Sequence, residues 1–209
     1  MKPDYILYLV TDRRAMSTRT LAEAVEQAIA GGCTMVQLRE AETSALEFYQ
    51  LAVDIKAVTD RHHIPLIINN RIDIALAIRA AGVHLGQNDI PTAAARRIIG
   101  PNMLLGISVT TTAQALKAQA EGADYLGVGA MFPTRTKPDA SIVSMEELRS
   151  IRSAVSLPIV AIGGITPANA PQFHAAHVDG LAVVSAILSK PDIEAAAREL
   201  KQAFGQITR

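Results

Sequence analysis

Hydrophobic positions along the chain fall into two alternating periods. Short runs rich in Val, Ile, Leu and Tyr are each followed by a longer run in which apolar residues recur at helical spacing. The short runs cover residues 5–11, 35–39, 66–69, 83–85, 104–109, 125–131, 159–162 and 181–185. The longer ones cover 21–30, 45–59, 72–80, 92–99, 113–120, 145–154, 168–176 and 193–204. Glycine- or aspartate-bearing turns enter several strands: Gly31-Gly32, Gly82, Gly122-Ala123-Asp124 and Asp179-Gly180. They stand where a helix must end and where left-handed backbone is cheapest for Gly. Eight strand–helix units in series, with no low-complexity linker, can close into a ring of parallel strands that has no edge. The pattern therefore predicts an α/β protein, one (β/α)8 TIM barrel over residues 1–209. An open doubly wound sheet is the alternative. Its Gly-x-Gly-x-x-Gly turn after the first strand is missing, because Thr11-Asp12-Arg13-Arg14 occupies that place.

Composition narrows the class. Hydrophobic residues make up 49% of the chain and aromatics only 4%, so the core must be built from Ala, Val, Ile and Leu, as in parallel sheets covered by helices. Lys+Arg and Asp+Glu number 20 each, which leaves no overall basic field to hold nucleic acid or an anionic membrane. The lone cysteine, Cys33, excludes a disulfide framework and suits a reducing compartment. No apolar run reaches the roughly 20 residues of a membrane helix. Residues 1–4 lack the charged-then-apolar order of a secretory leader. The expectation is a cytoplasmic protein that acts on small molecules, with assembly into a homo-oligomer left open.

In such a barrel the chemistry belongs at the C-terminal ends of the strands. Those ends carry Thr11-Asp12, Gln37-Leu38-Arg39-Glu40, Asn69-Asn70-Arg71, Gly86-Gln87-Asn88-Asp89, Ser108, Thr134-Arg135-Thr136-Lys137, Gly163-Gly164 and Val184-Ser185. The opposite ends carry mostly turn residues. Two anion sites stand out. Gly163-Gly164 precedes Thr166-Pro167, read as an N-cap and first helical residue, and bare backbone N–H groups there can approach a phosphate with Ser185 beside them. The second is Thr134-x-Thr136-Lys137, whose hydroxyls and ammonium, with Arg135, suit a phosphate or diphosphate. A tightly packed Gly-Gly and a solvated charged loop are the plainer readings of the two. Asp89, Asn69 and Asn70 offer hard oxygen ligands of the kind that hold Mg2+ through substrate phosphates, although an Asp at a strand end is often only a cap. Arg39 either clamps a phosphate or pairs with Glu40 or Glu42. His84, inside a strand, reads as a packed or hydrogen-bonded core histidine. His62-His63 reads as a solvated helix end, His174 and His177 lie on an outer helix, and Cys33 is structural.

These residues carry a resemblance. The chain resembles the thiamine-phosphate synthase (thiamine-phosphate pyrophosphorylase) family nearly end to end. The motifs that carry it are Tyr8-Leu9-Val10-Thr11-Asp12, Val36-Gln37-Leu38-Arg39-Glu40, Ile67-Ile68-Asn69-Asn70-Arg71, Gly82-Val83-His84-Leu85-Gly86-Gln87-Asn88-Asp89, Gly106-Ile107-Ser108, Phe132-Pro133-Thr134-Arg135-Thr136-Lys137, Ile162-Gly163-Gly164-Ile165 and Val183-Val184-Ser185-Ala186-Ile187. The resemblance implies a (β/α)8 barrel that joins an aminopyrimidine methyl diphosphate to a thiazole phosphate, giving thiamine phosphate and pyrophosphate. It implies that Gln37, Arg39, Asn69 and Ser108 hold the pyrimidine diphosphate, with Leu38, Glu40 and Ala41 in the same segment. Asp89 and Asn70 would hold Mg2+. Thr134, Arg135, Thr136 and Lys137 would meet the thiazole and the leaving diphosphate, and Gly164, Val184 and Ser185 the thiazole phosphate. Arg39, Ser108 and Lys137 would act on the reacting groups. The chain departs from the family pattern twice: Ala41 stands where a Lys is usual, and Asn70 where an Asp is usual. A non-catalytic homologue that binds thiamine phosphate or thiazole phosphate is one alternative. A thiazole tautomerase is another, but that branch places a His after the sixth strand, where this chain has Ala130-Met131-Phe132.

Overall fold

A computed structural model describes residues 3–40, 43–134, 136 and 141–205. Its strands are β1 (Leu7–Val10), β2 (Met35–Leu38), β3 (Leu66–Asn69), β4 (Gly82–Leu85), β5 (Leu104–Val109), β6 (Tyr125–Val128), β7 (Ile159–Ile162) and β8 (Gly180–Val183). They pair in sequence order, all parallel, and β8 returns to β1 to close the ring. The helices are α1 (Leu21–Ala30), α2 (Ala45–Arg61), α3 (Ile72–Ala77), α4 (Thr92–Ile99), α5 (Thr112–Ala120), α6 (Met145–Ala154), α7 (Ser185–Leu188) and α8 (Ile193–Gly205). A 3-10 helix, Ala170–Ala176, replaces an α-helix between β7 and β8.

The strict alternation of side chains along each strand divides the interior into two layers. Outward residues such as Leu9, Val36, Leu38, Ile68, Val83 and Leu126 meet the helices in one large core. Inward residues Tyr8, Val10, Met35, Ile67, Tyr125, Val160 and Ala182 fill the barrel itself. Leu38, expected among the substrate residues, is a fully buried outward residue, so only its backbone faces the strand ends.

Helix starts follow the capping rules. Thr20, Ser44, Thr111 and Ser144 each accept a hydrogen bond from the backbone N–H three residues on. Several expected elements differ, among them the strand expected over 125–131, which ends at Val128. The helix expected over 168–176 begins only at Ala170 and is 3-10, because Pro167 and Pro171 each lack an N–H to donate. Thr166 is therefore not its N-cap; the Asn169 carboxamide instead accepts from the Thr166 N–H at 2.8 Å and donates to the Gly164 carbonyl at 3.0 Å. The strand expected to reach Ser185 stops at Val183, and Ser185 opens the short α7. The helix expected to reach residue 80 ends at Ala77, closed by Arg79 in the left-handed region (φ 53°) and by the Ala80 N–H donating to the Ala75 carbonyl.

One device recurs at the N-terminal end of the barrel. Asp124, just before β6, accepts the Leu105 N–H at 2.7 Å and pairs with Arg96 of α4 at 2.5 Å. Asp179, just before β8, accepts the Ile159 N–H at 2.8 Å and pairs with Arg152 of α6 at 3.2 Å. Each arginine also donates to carbonyls at the end of its own helix or the loop after it, Gly100 and Met103 for Arg96 and Val155 for Arg152. These two Asp–Arg pins tie helix, loop and two strands together at the end away from the polar strand tips.

Candidate active site

The inward register converges on the C-terminal mouth. Gln37 stands beside Ile67, Asn69 beside His84, and Ser108 beside Gly127 in the pairing of neighbouring strands. Below them runs a chain of buried polar groups. Gln37 Nε2 donates to the Tyr8 hydroxyl at 3.0 Å, which lies 2.9 Å from the Tyr125 hydroxyl. The Tyr125 hydroxyl lies 3.0 Å from His84 Nδ1, and His84 Nε2 lies 2.9 Å from Ser108 Oγ. The chain crosses the barrel from β2 to β5, and every polar group in it has a partner, as burial demands. Gly106 and Gly127 make room: a Cβ at Gly106 would collide with the Tyr125 ring and His84 Nδ1, and one at Gly127 would lie 3.0 Å from His84 Cε1.

Burial sets the protonation of this chain. Desolvation pushes both tyrosine hydroxyls up, and lowers His84 to about 4, so the imidazole is neutral near neutral pH. Because the folded value lies below the ordinary 6.5, the unfolded chain binds the extra proton first as acid is added. The contribution is complete above about pH 6.5 and is lost as pH falls towards about 4. It amounts to roughly 3 kcal/mol, at about 1.4 kcal/mol per pKa unit. His84→Gln is expected to flatten the fall in urea-unfolding free energy between pH 8 and pH 5; an unchanged slope would place the acid sensitivity elsewhere.

At the mouth, Arg39 is anchored through its backbone N–H to Thr11 Oγ1 at 3.0 Å, while its guanidinium stands 3.7 Å from Asp12. Among the described residues its carboxylate partner is thus Asp12 and not Glu40. Glu40 pairs with Arg13 at 2.9 Å, and burial nevertheless pushes its carboxyl up. Thr11 and Asp12 stand at a strand end in the sequence, but their pairing with Arg39, and that of Arg13 with Glu40, is not legible there because the partners lie just past the next strand. Asp89 Oδ2 accepts the Gly86 N–H at 2.6 Å, which fixes the carboxylate and leaves Oδ1 for a ligand. Asn70 donates its backbone N–H to the His84 carbonyl at 2.9 Å and is left-handed (φ 62°), a conformation Asn and Asp tolerate better than other side chains. No group of three or more His, Cys, Asp or Glu able to hold a metal occurs among the described residues. One carboxylate and one carboxamide suit a hard cation that takes its remaining ligands from phosphates and water.

Gln87, a strand-end residue given no role in the sequence, donates to the Ser108 carbonyl at 2.7 Å and ties the loop after β4 to strand β5. Thr134 Oγ1 accepts the Thr136 N–H at 3.3 Å, which curls the loop after β6. Ala41, Glu42, Arg135 and Lys137 lie outside the described residues. Gly163 and Gly164 both have positive φ (102° and 64°), and a Cβ on Gly164 would sit 2.7 Å from Phe132 Cβ and 2.8 Å from the Pro133 carbonyl oxygen. The β7 turn therefore presses its bare backbone against the β6 loop, and the neighbouring strand β8 leads into Val184-Ser185 at the start of α7. The tight-packing reading of Gly-Gly holds.

A family model described as thiamine monophosphate synthase matches residues 7–187. The chain belongs to that family. It is 58% identical to the thiamine-phosphate synthase of Clostridium beijerinckii over 209 residues, covering 99% of this chain and 100% of that one. Against the Ruminiclostridium cellulolyticum thiamine-phosphate synthase it is 56% identical, with 97% of each chain covered. The solved structure of thiamine phosphate pyrophosphorylase from Pyrococcus furiosus superposes with a TM-score of 0.90 at 37% identity, covering 99% of this chain and 98% of that one. In this family frame the mouth just described is the active-site end of the barrel.

Proposed function

We propose that this protein is a transferase of thiamine biosynthesis that joins an aminopyrimidine methyl diphosphate to a thiazole phosphate, forming thiamine phosphate and releasing pyrophosphate. The observation that carries the reading is the pair of polar regions at one mouth, Gln37–Arg39–Asn69–Ser108 with Asp89 on one side and the bare Gly164 turn beside Ser185 on the other. They sit in a chain related over its whole length to thiamine-phosphate synthases. The bond that breaks joins the pyrimidine methylene carbon to the diphosphate oxygen, and the electron pair leaves with diphosphate. The bond that forms joins that carbon to the thiazole ring nitrogen, and the positive charge ends on the thiazolium. No protein nucleophile is required; the work is to neutralise the leaving group and to hold two partners in line.

Arg39, Ser108 and Lys137 meet the departing diphosphate in this reading, and Gln37 and Asn69 hold the aminopyrimidine. Thr134 and Thr136, with Arg135, would meet the thiazole and the leaving diphosphate. Gly164, Val184 and Ser185 seat the thiazole phosphate on backbone N–H groups. Asp89 and Asn70 would hold Mg2+. Such an ion supplies charge to the leaving diphosphate when bound.

Gly164→Ala is expected to raise KM for the thiazole phosphate severalfold while KM for the pyrimidine diphosphate stays put, since left-handed backbone costs a non-glycine residue about 1–2 kcal/mol and the Cβ must displace Phe132. The function itself is tested by incubating the purified protein with both substrates and magnesium. Pyrophosphate and thiamine phosphate should appear in equal amounts, and only when both substrates are present. Binding of thiamine phosphate without turnover would point instead to a receptor.

A further inference from the structure

We propose that the buried chain Gln37–Tyr8–Tyr125–His84–Ser108 is a one-directional hydrogen-bond relay that presents an acceptor at Gln37 and a donor at Ser108. Tyr8, Tyr125 and His84 act in it as positioning residues. The inference rests on the function proposed above and adds to it how one end of the pyrimidine diphosphate pocket is coupled to the other.

The argument is one of counting protons. Gln37 Nε2 donates to the Tyr8 oxygen at 3.0 Å. Tyr8 has a single hydroxyl proton, and its neighbour in the chain is the Tyr125 oxygen at 2.9 Å, so the proton goes there. The single Tyr125 proton then goes to His84 Nδ1 at 3.0 Å. A neutral imidazole that accepts at Nδ1 carries its proton at Nε2, and that proton is donated to Ser108 Oγ at 2.9 Å. Ser108, having accepted, turns its own proton out into the mouth. At the other end Gln37, its amide nitrogen engaged, turns out its carbonyl oxygen.

Reversal is possible only as a whole. If Gln37 turned its amide over, each hydroxyl and the imidazole tautomer would have to follow, because any mixed arrangement leaves a buried donor facing a donor or an acceptor facing an acceptor. The reversed chain offers a donor at Gln37 and buries the Ser108 proton. A ligand with an amino group at one end and an anion at the other matches only the first polarity. The relay therefore makes recognition at the two walls a single event, and Gly106 and Gly127 are the positions that leave it room.

The tautomer is read directly by nitrogen-15 NMR of His84 in the unliganded protein. The expected state has Nε2 protonated and Nδ1 bare; a wild-type protein with Nδ1 protonated overturns the proposal. Tyr125→Phe and Tyr8→Phe each remove one link and keep the ring. Each is expected to weaken binding of inorganic pyrophosphate with magnesium about tenfold, the loss of one oriented hydrogen bond to an anion. Each should also raise KM for the pyrimidine diphosphate while leaving KM for the thiazole phosphate unchanged, a split that a general loss of stability would not produce. If folded Phe variants bind pyrophosphate as the wild type does, the relay is not what orients Ser108. A wild-type protein that ignores pyrophosphate would overturn the proposed function instead, because the tautomer is read without any ligand.

Discussion

Asp89→Asn is expected to slow pyrophosphate release by about two orders of magnitude, the scale seen when a preorganised electrostatic group is lost. The carboxylate is held by the Gly86 N–H at 2.6 Å, and an amide oxygen can still accept that bond, so the loop should keep its shape and the protein its melting temperature. What disappears is the negative charge. With Asn70 already neutral where the family pattern has an acid, Asp89 is the remaining charged ligand of the proposed pair. The variant should need far more magnesium for half-maximal rate and recover part of its activity as the metal is raised. Steady-state pyrophosphate release across a magnesium series measures both effects. A variant with the wild-type rate and the wild-type magnesium dependence would move the metal away from Asp89.

Gly106→Ala should be strongly damaging in the barrel interior. The added carbon would land on the Tyr125 ring and on His84 Nδ1. Tyr125 is fully buried and His84 only 7% exposed, so neither has free space to retreat into. Overpacking of this kind costs about 3 kcal/mol at the upper end of the usual range. It also separates the Tyr125 hydroxyl from His84. Urea unfolding should show the loss of stability, and turnover of the folded fraction should fall as well. If activity per folded molecule is unchanged, the polar chain above Gly106 does not contribute to catalysis.

Much of the barrel is legible from hydrophobic period alone, because parallel strands buried on both faces read as unbroken apolar runs and the helices between them do not. Boundaries are less so. Ser185 looks like the end of an apolar run, yet the chain turns into α7 at Val184, and nothing in the local pattern marks the change. Pro167 and Pro171 do signal trouble for a regular helix, and the 3-10 geometry of Ala170–Ala176 is the consequence. Within the mouth, Gln37, Asn69, Ser108 and Gly164 are visible as polar or glycine residues at strand ends. Leu38 is adjacent in sequence but faces outward, which the alternation of a strand predicts once the inward register of Gln37 is known. Glu40 reads as a site residue, and its charge is answered by Arg13, a partner 27 positions away that the parallel pairing of β1 with β2 brings near. Tyr8, Tyr125 and His84 look like ordinary core residues. The signal that marks them is the pair of inward glycines, Gly106 and Gly127, beside large polar side chains on neighbouring strands.

The two Asp–Arg pins place the main charged braces of β5 to β8 at the end of the ring opposite the mouth. Replacing Arg96 or Arg152 should therefore lower thermal tolerance without altering substrate preference, while exchanges at the strand tips should do the reverse. A lineage carrying this scaffold can drift in what it recognises and in how much heat it withstands along nearly independent routes.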